Sequence, residues 1–149
     1  MDIKGVEVIS LTLNTDHRGW LMEAYRKDQT NILPEMAYIS STMPGIIRGP
    51  HEHLYQTDMF IFIQSNWRVK LWDNDIHSCT YGNVMDFIIT CPTKVIVPPM
   101  VVHAYQNWGE TPQLVINLPD RLYKGQKKRE EVDEIRHENG TRFVMGNIK

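Results

Sequence analysis

Short apolar or alternating segments recur along most of the chain, and turn-prone residues separate them. The segments are rich in Val, Ile, Phe, Tyr and Thr, which favour strands, while Gly, Pro, Asn and Asp lie between them. Nine strands are predicted by this pattern, at residues 6–13, 20–25, 36–41, 58–63, 67–72, 84–90, 94–97, 101–105 and 113–118.

Closely spaced strands without helices between them predict an all-β fold, an antiparallel sandwich or barrel that can enclose one ligand. Residues 125–138 are the exception to this pattern. Their dense charges, with Val132 and Ile135 three positions apart, predict a short surface helix after the last strand. No repeat and no linker divides the sequence, so we expect residues 1–149 to form a single domain.

Composition excludes several classes of protein. The 149-residue chain is 42% hydrophobic, which is typical of a globular protein and not of a disordered one. A domain of this length buries enough surface to fold without disulfides or a structural metal, so any metal would serve function. The formal net charge of −2 offers no basic surplus for binding phosphate backbones, and nucleic acid is not expected as a partner.

Three features bear on the cellular context. The longest apolar runs fall far short of the roughly 20 residues of a membrane span, so no membrane partner is expected. The opening residues Met-Asp-Ile-Lys do not begin a signal peptide. Cys79 and Cys91 lie outside any C-x-x-C motif, which predicts two reduced thiols. Together these features predict a cytoplasmic protein.

The chemistry-bearing residues are concentrated between residues 45 and 58. On an extended strand residues two apart share a face, so His51 and His53 are predicted to point the same way. A turn over residues 54–57 would bring Asp58 back beside them on the next strand. His103 supplies a third imidazole from a strand distant in the sequence. The sequence therefore predicts a site made of three imidazoles and one carboxylate.

Two kinds of chemistry fit this predicted site, and the sequence leaves both open. His51, His53, Asp58 and His103 around an open position suit a divalent transition metal such as Zn, Fe, Mn or Ni. Without a metal the same groups make a proton-transfer site. A neutral imidazole, with an ordinary pKa of about 6.5, is a competent base for a proton on the carbon beside a ketone.

The spacing of these residues resembles the two signature motifs of the cupin superfamily. The first motif is matched at Gly45, His51, His53 and Asp58, and the second at Pro98, His103 and Asn107. Asp58 stands where the motif usually has Glu. This resemblance implies a cupin-type antiparallel jelly-roll barrel, to which the predicted short C-terminal helix is added.

A narrower resemblance covers most of the chain. Residues 16–23, 41–51, 71–73, 96–103 and 117–123 are similar to the dTDP-4-dehydrorhamnose 3,5-epimerase family. That family acts on nucleotide-linked 4-keto-6-deoxy sugars in bacterial surface polysaccharide biosynthesis, usually as dimers of jelly-roll subunits. The resemblance therefore implies a nucleotide-sugar substrate and a homodimer. Its most specific element, Arg-Gly-x-His, implies that His51 is the catalytic base and that Arg48 contacts the substrate.

Several family positions carry different residues in this chain. Asp58 occupies the place of a family Lys, and Asn117 that of the Tyr that serves as the opposing acid. Tyr105 and Tyr123 are the nearby phenols, at other positions. The family Asp that orients the catalytic histidine has no counterpart other than Asp133. These departures argue against epimerisation at two carbons.

The second histidine of the motif, His53, is matched in a related group of enzymes. Sugar-nucleotide 3,4-ketoisomerases are also cupin-like and show an Arg-Gly-x-His-x-His element, which residues 48–53 resemble. In that group both imidazoles shuttle protons between neighbouring carbons. The resemblance implies that His51 and His53 act as a catalytic pair.

Other residues are candidates for holding the substrate. Arg18 and Arg68 offer cations for a developing enolate oxygen or a diphosphate, although both also fit ordinary surface charges. Tyr55, Tyr105 and Asn117 complete the candidate substrate contacts, with Tyr55 suited to stacking on a base or sugar.

The remaining polar residues near these motifs are given structural roles. His17, His77 and His137 are expected at the surface or in loops. Glu52, between the paired histidines, is expected to face away from them.

The leading hypothesis is an isomerase or epimerase that needs no cofactor and moves a proton beside the ketone of a nucleotide-linked sugar. One alternative is a metal-binding cupin with His51, His53, Asp58 and His103 as ligands. Another is a non-catalytic sugar-binding cupin. The sugar, the nucleotide and the product are not fixed by the sequence.

Overall fold

The computed structural model describes residues 1–146, and nearly all of its regular secondary structure is β-strand. The strands of this part of the chain are β1 (Glu7–Ser10), β2 (Leu13–Asp16), β3 (Gly19–Met22), β4 (Tyr38–Thr42), β5 (Ile47–Glu52), β6 (Asp58–Phe62), β7 (Trp67–Asp73), β8 (Val84–Ile89), β9 (Thr93–Val97), β10 (Val101–Asn107), β11 (Gln113–Asn117) and β12 (Ile135–Arg136). Single turns of 3-10 helix occur at Lys27–Gln29 and Gln126–Lys128.

Ten of these strands form two five-stranded sheets. One has the order β1-β9-β6-β11-β4 and the other β12-β5-β10-β7-β8, while β2 and β3 form a separate hairpin. Each neighbouring pair is antiparallel. Apolar side chains of both sheets pack in one core, so the sheets face each other as in a jelly roll. The predicted all-β antiparallel fold is confirmed.

Inward and outward side chains alternate along the central strands. On β6, Phe60 and Phe62 enter the core between the sheets, whereas Met59 and Ile61 pack on the opposite face under residues 11–32. The outer face of the second sheet is covered by Phe143 and neighbouring residues of the C-terminal segment. Both sheets are therefore covered on both faces over their central strands, which explains why β6 is apolar beyond its first residue.

The predicted helix at residues 125–138 is wrong. That stretch contains one 3-10 turn and then β12, which pairs with β5. Gly125, Lys127 and Lys128 have positive φ angles, which an α-helix does not tolerate. Pairing with β12 also satisfies backbone groups at the edge of β5, and this tertiary interaction outweighs a weak local helix preference.

Two further details differ from the pattern-based prediction. The predicted strand at residues 6–13 is two strands, because the chain leaves the sheet after β1 and begins the hairpin at β2. The histidine-bearing strand β5 was not among the nine predicted strands. Within residues 1–146, no helix has the length and hydropathy that crossing a membrane requires.

Candidate active site

A cleft of about 1510 Å³ opens at one end of the two sheets. Its lining comes from β4, β5, β6 and β10 and from the segment that follows β11. The predicted site residues that line it are Arg48, His51, His53, Tyr55 and Tyr105.

The structure brings the three predicted imidazoles and the carboxylate together. His51 on β5 is paired with His103 on β10, and their Nε2 atoms are 3.0 Å apart. Asp58, the first residue of β6, places Oδ2 3.1 Å from Nε2 of His53 and 3.3 Å from Nε2 of His103. One ligand atom from each residue lies within 4.8 Å of the others. We call these four residues the histidine cluster.

Main-chain carbonyls orient two of the imidazoles. Nδ1 of His103 lies 3.0 Å from the carbonyl oxygen of Val101, and Nδ1 of His53 contacts that of Asp133. A carbonyl oxygen only accepts hydrogen bonds, so both Nδ1 atoms carry protons. The Nε2 atoms of both rings are therefore the ones presented to the carboxylate and to His51.

Asp58 is buried and only half satisfied. Its Oδ1 accepts hydrogen bonds from Nε2 of Gln56 at 2.8 Å and from Nδ2 of Asn117 at 2.7 Å. Its Oδ2 lies at ion-pair distance from Nε2 of His53 and His103, but among the described residues none of its contacts has the alignment of a hydrogen bond. Burial alone would raise the pKa of Asp58, but the contacts with His103 and His53 outweigh it and hold the pKa well below the ordinary value.

The two predicted catalytic histidines have opposite pKa shifts. Burial, reinforced by His103 and His53, lowers the pKa of His51 to about 2. Burial also disfavours the charge on His53, but the Asp58 carboxylate outweighs burial and raises its pKa to about 9. At neutral pH His51 is thus a proton acceptor and His53 a proton donor.

Gly49 explains the glycine of the Arg-Gly-x-His element. Its φ angle is +79°, a conformation that side chains with a Cβ rarely adopt. A Cβ at this position would also lie 2.4 Å from the carbonyl oxygen of His103. The missing side chain therefore lets β5 approach β10 closely enough for His51 to meet His103.

The Arg48 side chain is held at the cleft by residues of β4. Its Nε donates to Oγ1 of Thr42 at 2.8 Å, and a terminal nitrogen donates to the carbonyl oxygen of Ser41 at 2.7 Å. The remaining guanidinium donors are available to a molecule in the cleft.

The other two predicted arginines do not line the cleft. The Arg68 side chain is 2% exposed, pairs with Asp86 at 2.7 Å and donates to the carbonyl oxygens of Met145 and Gly146. Arg68 thus holds the C-terminal segment against the second sheet. Arg18 lies on the β2–β3 hairpin with its side chain 78% exposed and paired with Asp16. Within one chain, neither arginine contacts the cleft, so the prediction that they bind the substrate is wrong there.

Asn117 is also corrected, because it is completely buried behind the cleft. Its side chain donates to Asp58 and Tyr38, and its Oδ1 accepts the backbone N–H of Met59 at 3.1 Å. With these bonds made, Asn117 positions other side chains and is not available to a substrate. By contrast Tyr55 is exposed at the rim of the cleft, where Arg121 packs over its ring.

Sequence reasoning missed most of the wall formed by the C-terminal segment. The Asp133 carboxylate accepts the backbone N–H groups of Leu54, Tyr55 and Gln56 at 2.7–3.0 Å, which fixes the turn between β5 and β6. Oε1 of Glu134 lies 3.9 Å from Nε2 of His51. The family resemblance implied that Asp133 orients the catalytic base. In the structure Asp133 instead holds His53 and the turn between β5 and β6.

His137 was expected at the surface or in a loop, and it lies in the loop after β12 with its side chain half-buried. Its Nε2 lies 2.8 Å from Oε1 of the buried Glu52, which also accepts a hydrogen bond from Asn74. Glu52 faces away from the histidine cluster, as predicted, and its contact with His137 helps to fix β12 beside β5.

Comparisons with known proteins place this geometry in context. The family model for the polysaccharide biosynthesis C-terminal domain matches residues 14–130. A probable low-salt glycan biosynthesis epimerase, Agl13 of Haloferax volcanii, is 36% identical over 135 residues, covering 87% of this chain and 86% of that protein. The spore coat polysaccharide biosynthesis protein SpsL of Bacillus subtilis is 32% identical over 125 residues, covering 81% and 82%.

A solved structure has the same fold over nearly the whole chain. The crystal structure of a dTDP sugar isomerase from Desulfovibrio desulfuricans G20 superposes with a TM-score of 0.83, covering 99% of this chain and 94% of that one. The sequences are 19% identical, so this likeness is one of fold. It confirms the jelly-roll architecture that the cupin resemblance implied.

Proposed function

This chain belongs to the family of polysaccharide biosynthesis C-terminal domains, and on that premise we propose that it isomerises or epimerises a nucleotide-linked 4-keto-6-deoxy sugar. The observation that carries the proposal is the His51 imidazole, held 3.0 Å from His103 at the wall of a cleft large enough for such a substrate. Its relatives named for glycan and spore coat polysaccharide synthesis support a role in surface polysaccharide biosynthesis.

His51 is the proposed base. It removes a proton from the carbon beside the ketone, and the electrons of that C–H bond move into the enolate. The lowered pKa of His51 keeps its ring unprotonated at neutral pH. Asp58, with a carboxylate oxygen within 4.8 Å of a ring nitrogen of His51, stabilises the imidazolium that forms.

Charge on the enolate and on the diphosphate requires cations in the cleft. Arg48 has free guanidinium donors, and Arg121, Lys124 and Arg136 also line the cleft. Guanidinium groups bind phosphate oxygens with paired, charge-assisted hydrogen bonds. We propose Arg48 as the contact nearest the reacting carbon and Tyr55 as a stacking surface for the base or sugar.

His53 distinguishes the two reaction types within this proposal. Its pKa of about 9 keeps it protonated at neutral pH, so it can hand a proton to the substrate. Delivery to the carbon next to the one deprotonated by His51 gives a ketoisomerase, whereas an epimerase needs a proton delivered to the same carbon from the opposite face of the sugar ring.

Incubating the protein with candidate deoxysugar nucleotides in D2O tests the proposal. Deuterium should enter the ring carbon beside the ketone, and the His51→Ala variant should lose this exchange by at least about 100-fold. His77→Ala, an exposed loop histidine, is the matched control and should exchange like the wild type. Binding without exchange would instead favour a non-catalytic sugar-binding protein.

A second candidate for the same site is a metal-dependent enzyme, with His51, His53, Asp58 and His103 as ligands. The donor set fits a divalent ion such as Zn, Fe, Mn or Ni, because Asp58 Oδ2 lacks a hydrogen-bond partner and faces imidazole Nε2 atoms. A bound ion would polarise the substrate ketone as a Lewis acid. The leading proposal requires no cofactor.

Metal analysis of the purified protein separates the two candidates. The metal-dependent enzyme predicts about one ion per chain in the wild type and loss of that ion in His103→Ala, with metal content measured by mass spectrometry. Deuterium exchange that survives complete removal of metal by a chelator would rule out the metal-dependent mechanism.

We also propose a homodimer in a reducing compartment, the cytoplasm. Trp20 and Leu21 of the hairpin and Ile39 of the edge strand β4 are exposed apolar residues, which a second copy of the chain would cover. Cys79 and Cys91 are both exposed and free, which fits a reducing environment. Light scattering that gives the mass of one chain would contradict the dimer.

A further inference from the structure

Gln56 is a polar side chain beside the histidine cluster that the proposed reaction has not used. It lies in the turn between β5 and β6 and lines the same cleft as His51 and His53. Its Nε2 is 3.3 Å from Nε2 of His53. The amide of Gln56 therefore lies next to the imidazole that is proposed to hand a proton to the substrate.

The Asp58 carboxylate determines which end of this amide faces the cluster. Nε2 of Gln56 donates to Oδ1 of Asp58 at 2.8 Å, and Nδ2 of Asn117 donates to the same oxygen at 2.7 Å. An ionised carboxylate only accepts hydrogen bonds, so the nitrogen of the Gln56 amide must be the atom that faces it. The carbonyl oxygen Oε1 is consequently turned away from Asp58.

Oε1 of Gln56 is an acceptor without a donor. Within residues 1–146 no N–H or O–H group donates to it. The atom is not fully buried, so a molecule in the cleft can reach it. A group that donates a hydrogen bond is therefore the natural partner for this oxygen.

Gln56 is also held in place before any substrate arrives. Its backbone N–H donates to Oδ2 of Asp133 at 3.0 Å, while its side chain is tied to Asp58. An acceptor that is fixed in advance loses little conformational freedom when it binds a ligand. The position of Oε1 relative to His53 is thus set by the fold.

The two carbons beside the ketone of a 4-keto-6-deoxy sugar differ in what they offer to such an acceptor. C3 carries a hydroxyl, which can donate a hydrogen bond. C5 carries a methyl group and the ring oxygen, and neither of these can donate. A neutral acceptor next to the proton-transfer pair is therefore useful for chemistry at C3 and not for chemistry at C5.

We propose that Gln56 selects substrates with a free hydroxyl on C3 and directs the reaction to C3 and not to C5, an inference that rests on the proposed function. The C3 hydroxyl donates to Oε1 of Gln56. At a tetrahedral carbon, holding the ring and this oxygen fixes the direction of the remaining C–H bond, which then faces His51. Gln56 itself neither gains nor loses a proton.

The position of deuterium in the sugar tests the choice of carbon without any variant. Wild-type protein is incubated in D2O with 4-keto-6-deoxyglucose linked to dTDP or to UDP, and the ring positions are read by proton NMR. Deuterium should enter at C3. C5 should keep its hydrogen at the rate seen without protein.

The Gln56→Leu variant tests the residue, because it removes Oε1 and keeps an apolar side chain of similar length. The preference is the ratio of kcat/KM for the C3-hydroxyl substrate to that for its 3-deoxy analogue. This ratio should fall by at least about 10-fold from wild type to Gln56→Leu. Losing the hydrogen bond to Asp58 slows both substrates and cancels in the ratio. Gln29→Leu, at an exposed position, is the matched control and should keep the wild-type preference.

Three results would count against the proposal in different ways. Enzymatic deuterium exchange at C5, alone or together with C3, would overturn it and leave the proposed function intact. An unchanged preference in Gln56→Leu would show that another acceptor, such as Glu134, reads the hydroxyl and that Gln56 only supports Asp58. Absence of exchange at either carbon in the wild type would remove the proposed function together with this inference.

Discussion

The two ends of strand β6 lie in the same barrel but have opposite chemistry. Asp58, the first residue, is among imidazoles at the open end, and Phe62, the last, is among aromatic rings at the closed end. There Phe62, Trp67 and Tyr105 meet edge to face, with ring centroids 5.4–5.5 Å apart. At the open end a buried carboxylate oxygen has no hydrogen-bond partner in the described chain.

This difference separates stability from activity along one strand. Close aromatic packing at the closed end stabilises the fold, because the three rings are buried. At the open end, burying a carboxylate has a desolvation cost that its contacts with His53 and His103 offset, and proteins retain such charged groups where function requires them. Substitutions at the open end should therefore mainly reduce activity, and those at the closed end should mainly reduce the free energy of unfolding.

The largest effect is expected at the open end, for Asp58→Asn. Activity should fall by about 10²–10⁴-fold, because the carboxylate that keeps His53 charged is lost. The free energy of unfolding should also fall, because the lowered pKa of Asp58 and the raised pKa of His53 mean that their contact stabilises the folded state at neutral pH. Urea unfolding and the deuterium exchange rate measure the two quantities, and a wild-type exchange rate in the folded variant would contradict this role of the open end.

The closed end should respond in the opposite way to Phe62→Ala. Removing this completely buried ring should lower the free energy of unfolding by about 3–5 kcal/mol through lost burial and a new cavity. The exchange rate per folded molecule should change less than about threefold. Phe62→Leu, which leaves a smaller cavity, is the matched control and should lose less stability by urea unfolding. A large activity loss in the folded fraction would show that the two ends are coupled.

A smaller loss of unfolding free energy is expected for the ion pair of Arg68 and Asp86, which lies outside both ends of β6. Hydrogen bonding to Arg68 is the main cause that lowers the pKa of Asp86. Asp86→Asn leaves the guanidinium of the buried Arg68 with carbonyl partners only, so it should cost about 1–3 kcal/mol of unfolding free energy at neutral pH. A lowered folded pKa stabilises the protein above the ordinary carboxyl value of about 3.9, and this contribution disappears as pH falls through the folded value.

Urea titrations at several pH values check this prediction. The difference between wild type and Asp86→Asn should shrink as pH falls below about 4, and the exchange rate should be unaffected. Asp28→Asn, which breaks an exposed pair with Arg26, is the control and should show no measurable change. A stability difference between wild type and Asp86→Asn that grows as pH falls would contradict this prediction.

Short sequence patterns correctly predicted the features that depend on residues close together in the chain. Alternation located nine strand regions, and the i, i+2 spacing of His51 and His53 followed by a short turn placed Asp58 beside them. Placing His103 in the site required one further assumption, that a strand distant in the sequence directs this imidazole toward the same interior. For the strands and for His51, His53 and Asp58 the signal lies within one strand or one hairpin, where backbone geometry decides which side chains share a face.

The remaining site residues depend on contacts that no local pattern shows. Asp133 reaches the turn at residues 54–56 from 77–79 positions away in the chain. Tyr38 contacts Asn117, 79 positions on in the chain, only because β4 pairs with β11. Arg68 looked like a free cation because its partners, Asp86 and the C-terminal carbonyls, come together only in the folded chain.

Asp133 also has a consequence for the order in which the protein is made. Translation produces the imidazoles and Asp58 long before the residue whose backbone and carboxylate fix His53 and its turn. A nascent chain still tethered at residue 120 holds both sheets' central strands but lacks β12 and this clamp. Catalytic competence should therefore arise only late in synthesis, after the ribosome has released the C-terminal segment.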